Sequence, residues 1–223
     1  MSKVIPLLIL VSMISSTALL GGCGTNSSPS PNTPPNITSS SNKTSTTQQP
    51  QTVVGTGSSP EKPVVPEKNP TGDIPDTQAF VTYTSSSDGY ELVVPEGWGR
   101  TTKDRDVLFQ DKLNGVQVTV TQQSSQPTVV SVGNNQVAEL KKTGRAITIN
   151  NVKQVNLPGG SAILITYNSN SAPDPVTGKQ VRLENSHYLF YKNGELAALT
   201  LWAPLGADNV DQWNRMSASF KWR

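Results

Sequence analysis

Few side chains in this sequence have the type and spacing to do covalent or acid–base chemistry. Cys23 and His187 are each the only residue of their kind in 223. A lone cysteine closes no intramolecular disulfide, even in an exported compartment that would permit one. His187 opens a two-sided apolar strand, the setting of a partly buried structural histidine. Glu184 stands three positions earlier, a spacing that sends the two side chains to opposite faces of a strand. They make no metal pair, and there is no second histidine to complete a soft site. Gly159-Gly160-Ser161 lacks the flanking pattern of a nucleophile elbow, so a hydrolase built here would have to use His187 as its base. The carboxylate pairs read as structural, Asp104 and Asp106 as a turn, Asp208 and Asp211 as a helix start. Asp174, in a loop, offers calcium one carboxylate where that ion takes six or more oxygens. No phosphate loop or dinucleotide fingerprint occurs. The expectation is a non-enzymatic protein with no metal and no cofactor.

A formal charge of +2 with no block of like charges is too small to suggest nucleic acid as a partner, and none is expected. The amino-terminal residues carry an address instead. Met1-Ser2-Lys3 is a short basic start, Val4 to Leu20 an apolar run, and Leu20-Gly21-Gly22-Cys23 closes it with small residues. That order is a secretory signal, and the run falls short of the ~20 clean apolar residues of a membrane-crossing helix. Leu20-Gly21-Gly22-Cys23 resembles the lipobox of bacterial lipoproteins. The resemblance implies cleavage between Gly22 and Cys23 and diacylglycerol on the Cys23 thiol. Two or more acyl chains, at ~0.8 kcal/mol per buried methylene, would hold the chain on the extracytoplasmic side of the cell membrane without help from the protein surface.

The elements that must position everything else come later. From Gly24 to Gln78 there is no aromatic residue, and ten of the seventeen prolines fall between Pro29 and Pro75. Such a stretch cannot bury enough apolar surface to offset ordering entropy. It reads as a disordered tether with an end-to-end distance of ~40 Å as a coil. The sequence therefore divides into a signal peptide (1–22), a lipidated cysteine and linker (23–78), and one globular domain (79–223).

Within the domain, Gly89 to Val94, Val107 to Gln110 and Val116 to Thr121 read as strands, the last with clean apolar/polar alternation. Asn114-Gly115 is a hairpin signal. Ile147 to Leu157 and, after Pro158-Gly159, Ala162 to Tyr167 follow. His187 to Tyr191 and Leu196 to Trp202 are apolar on both faces and joined by Lys192-Asn193-Gly194. Two-sided strands need cover above and below. Asn134 to Lys142, ending at Gly144, and Asp208 to Ser217, with Val210, Trp213 and Met216 as its apolar stripe, are helices able to supply it. Gln122 to Gly133 and Asn168 to Gln180 read as loops, and Phe220 to Trp222 as a last short strand. The sum is α+β, an antiparallel sheet with helices against it.

Phe80 and Tyr83, then Gly89-Tyr90-Glu91-Leu92-Val93-Val94-Pro95-Glu96-Gly97-Trp98, then Val107 to Asp111, resemble the opening of PsbP-like domains, relatives of an extrinsic subunit of photosystem II. Asn193-Gly194-Glu195-Leu196, a helix and Ser219-Phe220 resemble their close. The resemblance spans about residues 79–223. It implies an α-β-α sandwich around a central antiparallel sheet and a non-enzymatic binding or assembly role, as in several bacterial lipoproteins. The photosynthetic subunit's metal-binding positions find no match here. The expected function is a lipid-anchored accessory protein engaging an envelope protein partner. The first alternative is a module for cell-wall glycan or a small solute, recognised through Trp98, Trp202, Asp174 and the 168–180 loop. A weak hydrolase using His187 comes third.

Overall fold

The computed structural model describes residues 61–223. Gly22, Cys23 and the tether up to residue 60 lie outside the described residues. The element order is β1 (Phe80–Ser85), β2 (Tyr90–Pro95), β3 (Gly99–Lys103), β4 (Asp106–Asp111), β5 (Asn114–Gln122), α1 (Val129–Asn134), α2 (Gln136–Thr143), β6 (Thr148–Leu157), β7 (Gly160–Asn170), β8 (Arg182–Lys192), β9 (Glu195–Pro204), α3 (Val210–Ser219) and β10 (Lys221–Trp222). Seven strands form a large sheet in the order β3-β4-β5-β9-β8-β7-β6, and β1-β2-β10 form a small one. The neighbouring strands pair antiparallel in both.

The apolar runs of β7, β8 and β9 place side chains on both faces of the large sheet. Leu164, Tyr188, Phe190, Leu199 and Leu201 point to one side, where α3 and the small sheet supply Met216, Phe220, Tyr90 and Leu92. Phe220 stacks on Phe190 with ring centroids 4.2 Å apart. On the other side Ile163, Ile165, Tyr167 and Leu189 meet Val132, Val137 and Leu140 of the α1–α2 pair. The result is a helix–sheet–helix layering of α+β class, with the largest core between the large sheet and α3.

Four local expectations change. The first concerns the loop read at 122–133, which holds the short helix α1. Its valines and Gly133 are poor helix formers. What fixes it is burial of Val132 and a capping box between Thr128 and Ser131. Second, Asn114-Gly115 is not the hairpin turn. Asp111 pairs with Asn114, so the turn is Lys112-Leu113, with Lys112 at φ 51°. Gly115 is glycine for another reason: a Cβ there would lie 2.0 Å from Cζ2 of Trp202. Third, the stripe on α3 holds at Met216, fully buried, and at half-buried Trp213, but Val210 is 65% exposed. Each i+3 step turns back about 60° around a helix of 3.6 residues per turn, so Val210 lies about 120° from Met216. Gln212, about 40° from Met216, fills that side instead, and Val210 stands at the very start of the helix.

The fourth change is at the linker. Residues 61–78 contain no helix or strand, yet they lie against the domain. Ile74 is 4% exposed, and its amide donates to Asn209 Oδ1 at 2.6 Å. Asn209 Nδ2 and Asn114 Nδ2 both donate to the Gly72 carbonyl. Composition concealed this because a few side chains, not an apolar run, hold the strap. Asn209 occupies the N-cap position of α3, but its side chain serves the strap rather than the helix. Asp208, expected at the helix start, donates its amide to Asp73 Oδ1.

Candidate functional site

Strand pleating sets which side chains share a face. On β9, Leu196, Ala198, Thr200 and Trp202 point toward the α1–α2 side. Leu196 and Ala198 belong to the cluster under those helices. Thr200 and Trp202 continue beyond it, paired across the register with Gln117 and Gly115, and Gln117 in turn pairs with Leu108. Leu108, Gln117, Thr200 and Trp202 are all half-buried. This stretch of sheet is a mixed apolar and polar surface, with the Trp202 indole laid on the backbone at Gly115.

His187 lies on the same face, opposite Thr200, and its Nδ1 is 2.8 Å from the Thr200 hydroxyl. Burial lowers its pKa to about 4, so the imidazole is neutral at pH 7. A base that weak and already hydrogen-bonded is badly matched to proton abstraction near neutral pH. Glu184 points to the opposite face, as the odd spacing predicts, and lines a cleft with Ser186 and Tyr188.

The proposed recognition residues do not converge. Trp98 packs against the core between the large sheet and α3, on the face away from Trp202. Asp174 ties its own loop: Oδ1 accepts from the amides of Val176 and Thr177 and from the Thr177 hydroxyl. Those bonds, the Thr177 amide first, hold its carboxyl below the usual range. Among the described residues, no group of three or more His, Cys, Asp or Glu side chains stands close enough to hold a metal ion.

Two polar hubs went unseen in the sequence because their members are far apart along it. Arg105 Nε donates to Asp88 at 2.6 Å and Nη2 to Glu195 at 2.7 Å, joining the β1–β2 and β3–β4 turns to the start of β9. Burial acts to raise the Asp88 pKa, but hydrogen bonds from Arg105, Ser87 and Ser85 outweigh it and the net shift is downward. Arg182 is 4% exposed and donates to the Ala146 carbonyl, Asn170 Oδ1 and the Thr148 hydroxyl. Asn170 also donates to Glu61 Oε1, and Glu61 pairs with Arg145 at 3.0 Å, so the start of the strap plugs into this hub.

The third feature is the Glu184 cleft, of about 240 Å³, between β8 and the first turns of α3. Its walls include Tyr188, Trp213 and Asn214. Burial raises the Glu184 pKa, opposed only by one hydrogen bond from the Gly206 amide, 3.3 Å long.

Comparison with known proteins adds the lineage. The PsbP family profile matches residues 78–200. The solution structure of cyanobacterial PsbP (CyanoP) from Synechocystis sp. PCC 6803 is similar, with 17% sequence identity and a TM-score of 0.49, over 69% of this chain and 99% of that one. A protein of unknown function from Pseudomonas aeruginosa, PA94, is similar at 13% identity and a TM-score of 0.38, over 63% of this chain and 94% of that one. No curated protein sequence matches.

Proposed function

The chain belongs to the PsbP family, and from that premise we propose that it is a lipid-anchored accessory protein of a bacterial envelope. Acyl chains on Cys23 hold it to the membrane, the linker gives it reach, and the domain binds another envelope protein without chemistry of its own. The observation that carries its non-catalytic part is the fate of the candidate groups that the sequence offers. His187 is neutral and bonded to Thr200, Asp174 closes its own turn, and Asp88 and Glu195 are paired with Arg105. What the domain offers outward is contact surface, around Trp202 on one face of the large sheet and the Glu184 cleft on the other.

The test is crosslinking in intact cells with a photoreactive residue at Gln117, on the Trp202 face, and at Val210, on the rim of the cleft. A recurrent envelope protein at either position supports the reading. Products no different from those of a probe placed at the exposed Val176 contradict it.

A further inference from the structure

The cleft between β8 and α3 sets an unpaired carboxylate among aromatic and apolar walls. Glu184 is half-buried and forms no ion pair among the described residues, its only hydrogen bond being the long one from the Gly206 amide. A half-buried carboxylate with no cation beside it gains from one that reaches it, so the cleft is complementary to a positive group. Tyr188 and Trp213 stand beside it as rings, and exposed Val210 forms an apolar rim. At about 240 Å³ the cleft is smaller than the ~300–1,000 Å³ of sites for drug-sized ligands, and so fits one long side chain.

We propose that this cleft receives an arginine side chain of a partner protein, its guanidinium paired with the Glu184 carboxylate and lying against Trp213. Arginine fits better than lysine. Its planar fork can pair with both carboxylate oxygens, it stacks on aromatic faces, and it is less strongly hydrated. Its three methylenes have Val210 and the Trp213 ring to lie along. An arginine–aromatic contact already occurs within the domain, where the Arg215 guanidinium of α3 sits 4.4 Å from the centre of the Phe80 ring of β1. The Ser186 hydroxyl and the Asn214 side-chain carbonyl oxygen, on residues of the wall, can accept from the remaining guanidinium protons.

This deepens the accessory-protein reading and rests on it for the partner, but the cleft can be tested alone. The experiment titrates acetyl-arginine amide into the full chain in detergent and follows the Trp213 indole N–H resonance, assigned with Trp213→Phe. Acetyl-citrulline amide, of the same shape but uncharged, is the control. The arginine probe is expected to shift that resonance saturably in the roughly millimolar range, as one side chain should. Citrulline should bind at least about tenfold more weakly, and Glu184→Gln should remove the preference. Equal binding of the two probes, no saturable shift, or an arginine preference that survives Glu184→Gln would overturn the proposal. If Glu184→Gln failed to fold, the two probes on the unaltered chain would still decide. A failed titration beside successful crosslinking in cells removes the cleft's role and leaves the accessory function standing.

Discussion

If the strap at 61–78 is part of the folded unit, Asn209 must be worth more when the strap is present than when it is cut away. The Asn209 side chain is 2% exposed, accepts from the Ile74 amide at 2.6 Å and donates to the Gly72 carbonyl at 2.9 Å. In Asn209→Ala the Gly72 carbonyl keeps its second donor, Asn114 Nδ2 at 2.8 Å. The Ile74 amide loses its partner. An orphaned buried donor costs about 1–3 kcal/mol, and in a domain of this size ~1 kcal/mol moves Tm by roughly 2–4 °C. The expected loss is therefore about 2–12 °C in a chain beginning at residue 61. In a chain beginning at residue 79 the same substitution should change Tm by no more than the ~0.5 kcal/mol equivalent of an uninvolved surface site. Thermal melts of the four proteins, by circular dichroism, close the cycle. Equal losses in the long and short chains, or no loss in either, would refute the docking of the strap.

Three further outcomes follow from single side chains. His187 has a folded pKa of about 4 against an ordinary 6.5, a depressed base that both states hold neutral above pH 6.5. Its contribution is complete there and is lost as pH falls from 6.5 to 4, on the order of 3 kcal/mol. Nuclear magnetic resonance titration should give a midpoint near 4, and His187→Gln should flatten stability across that window; a midpoint near 6.5 would contradict the burial. Gly159→Ala should destabilise by several kcal/mol, because its Cβ would stand 1.7 Å from the Phe220 carbonyl oxygen and a backbone must move; a denaturation midpoint unchanged from wild type would contradict that approach. Arg105→Ala leaves Asp88 and Glu195 without their cation. Because Asp88 titrates below its ordinary 3.8 when folded, its share of stability is full above that pH and lost on acidification below it. The variant should lose stability at pH 7 and show a shallower acid transition; an acid transition as steep as wild type would exclude the pairing.

The parts of this fold that could be read from the sequence are those held by local pattern. The two-sided runs of β7 to β9 specify a covered sheet, and Asn193-Gly194, with φ of 51° and 86°, forms the tight turn its composition announces. The odd spacing of Glu184 and His187 gave their opposite faces. Features that depend on distant residues could not be read in this way. Val129 to Asn134 is a poor helix that exists because Val132 is buried. Gly115 looked like a turn residue and is in fact the seat of Trp202, 87 positions away along the chain. The strap carries no aromatic residue and is held by Asn170 and Asn209 of the domain and by Arg145 on its own Glu61. The Glu184 cleft was hidden for the same reason, since Trp213 and Tyr188 meet only after α3 folds back on β8.

The anchor is the premise on which the accessory role depends, and intact-mass and peptide mass spectrometry of the protein extracted from its native membrane tests it most directly. The account predicts that the mature chain begins at Cys23 and that this residue carries a diacylglyceryl thioether. A chain recovered from the soluble fraction with Met1 to Gly22 still attached and an unmodified Cys23 would contradict it.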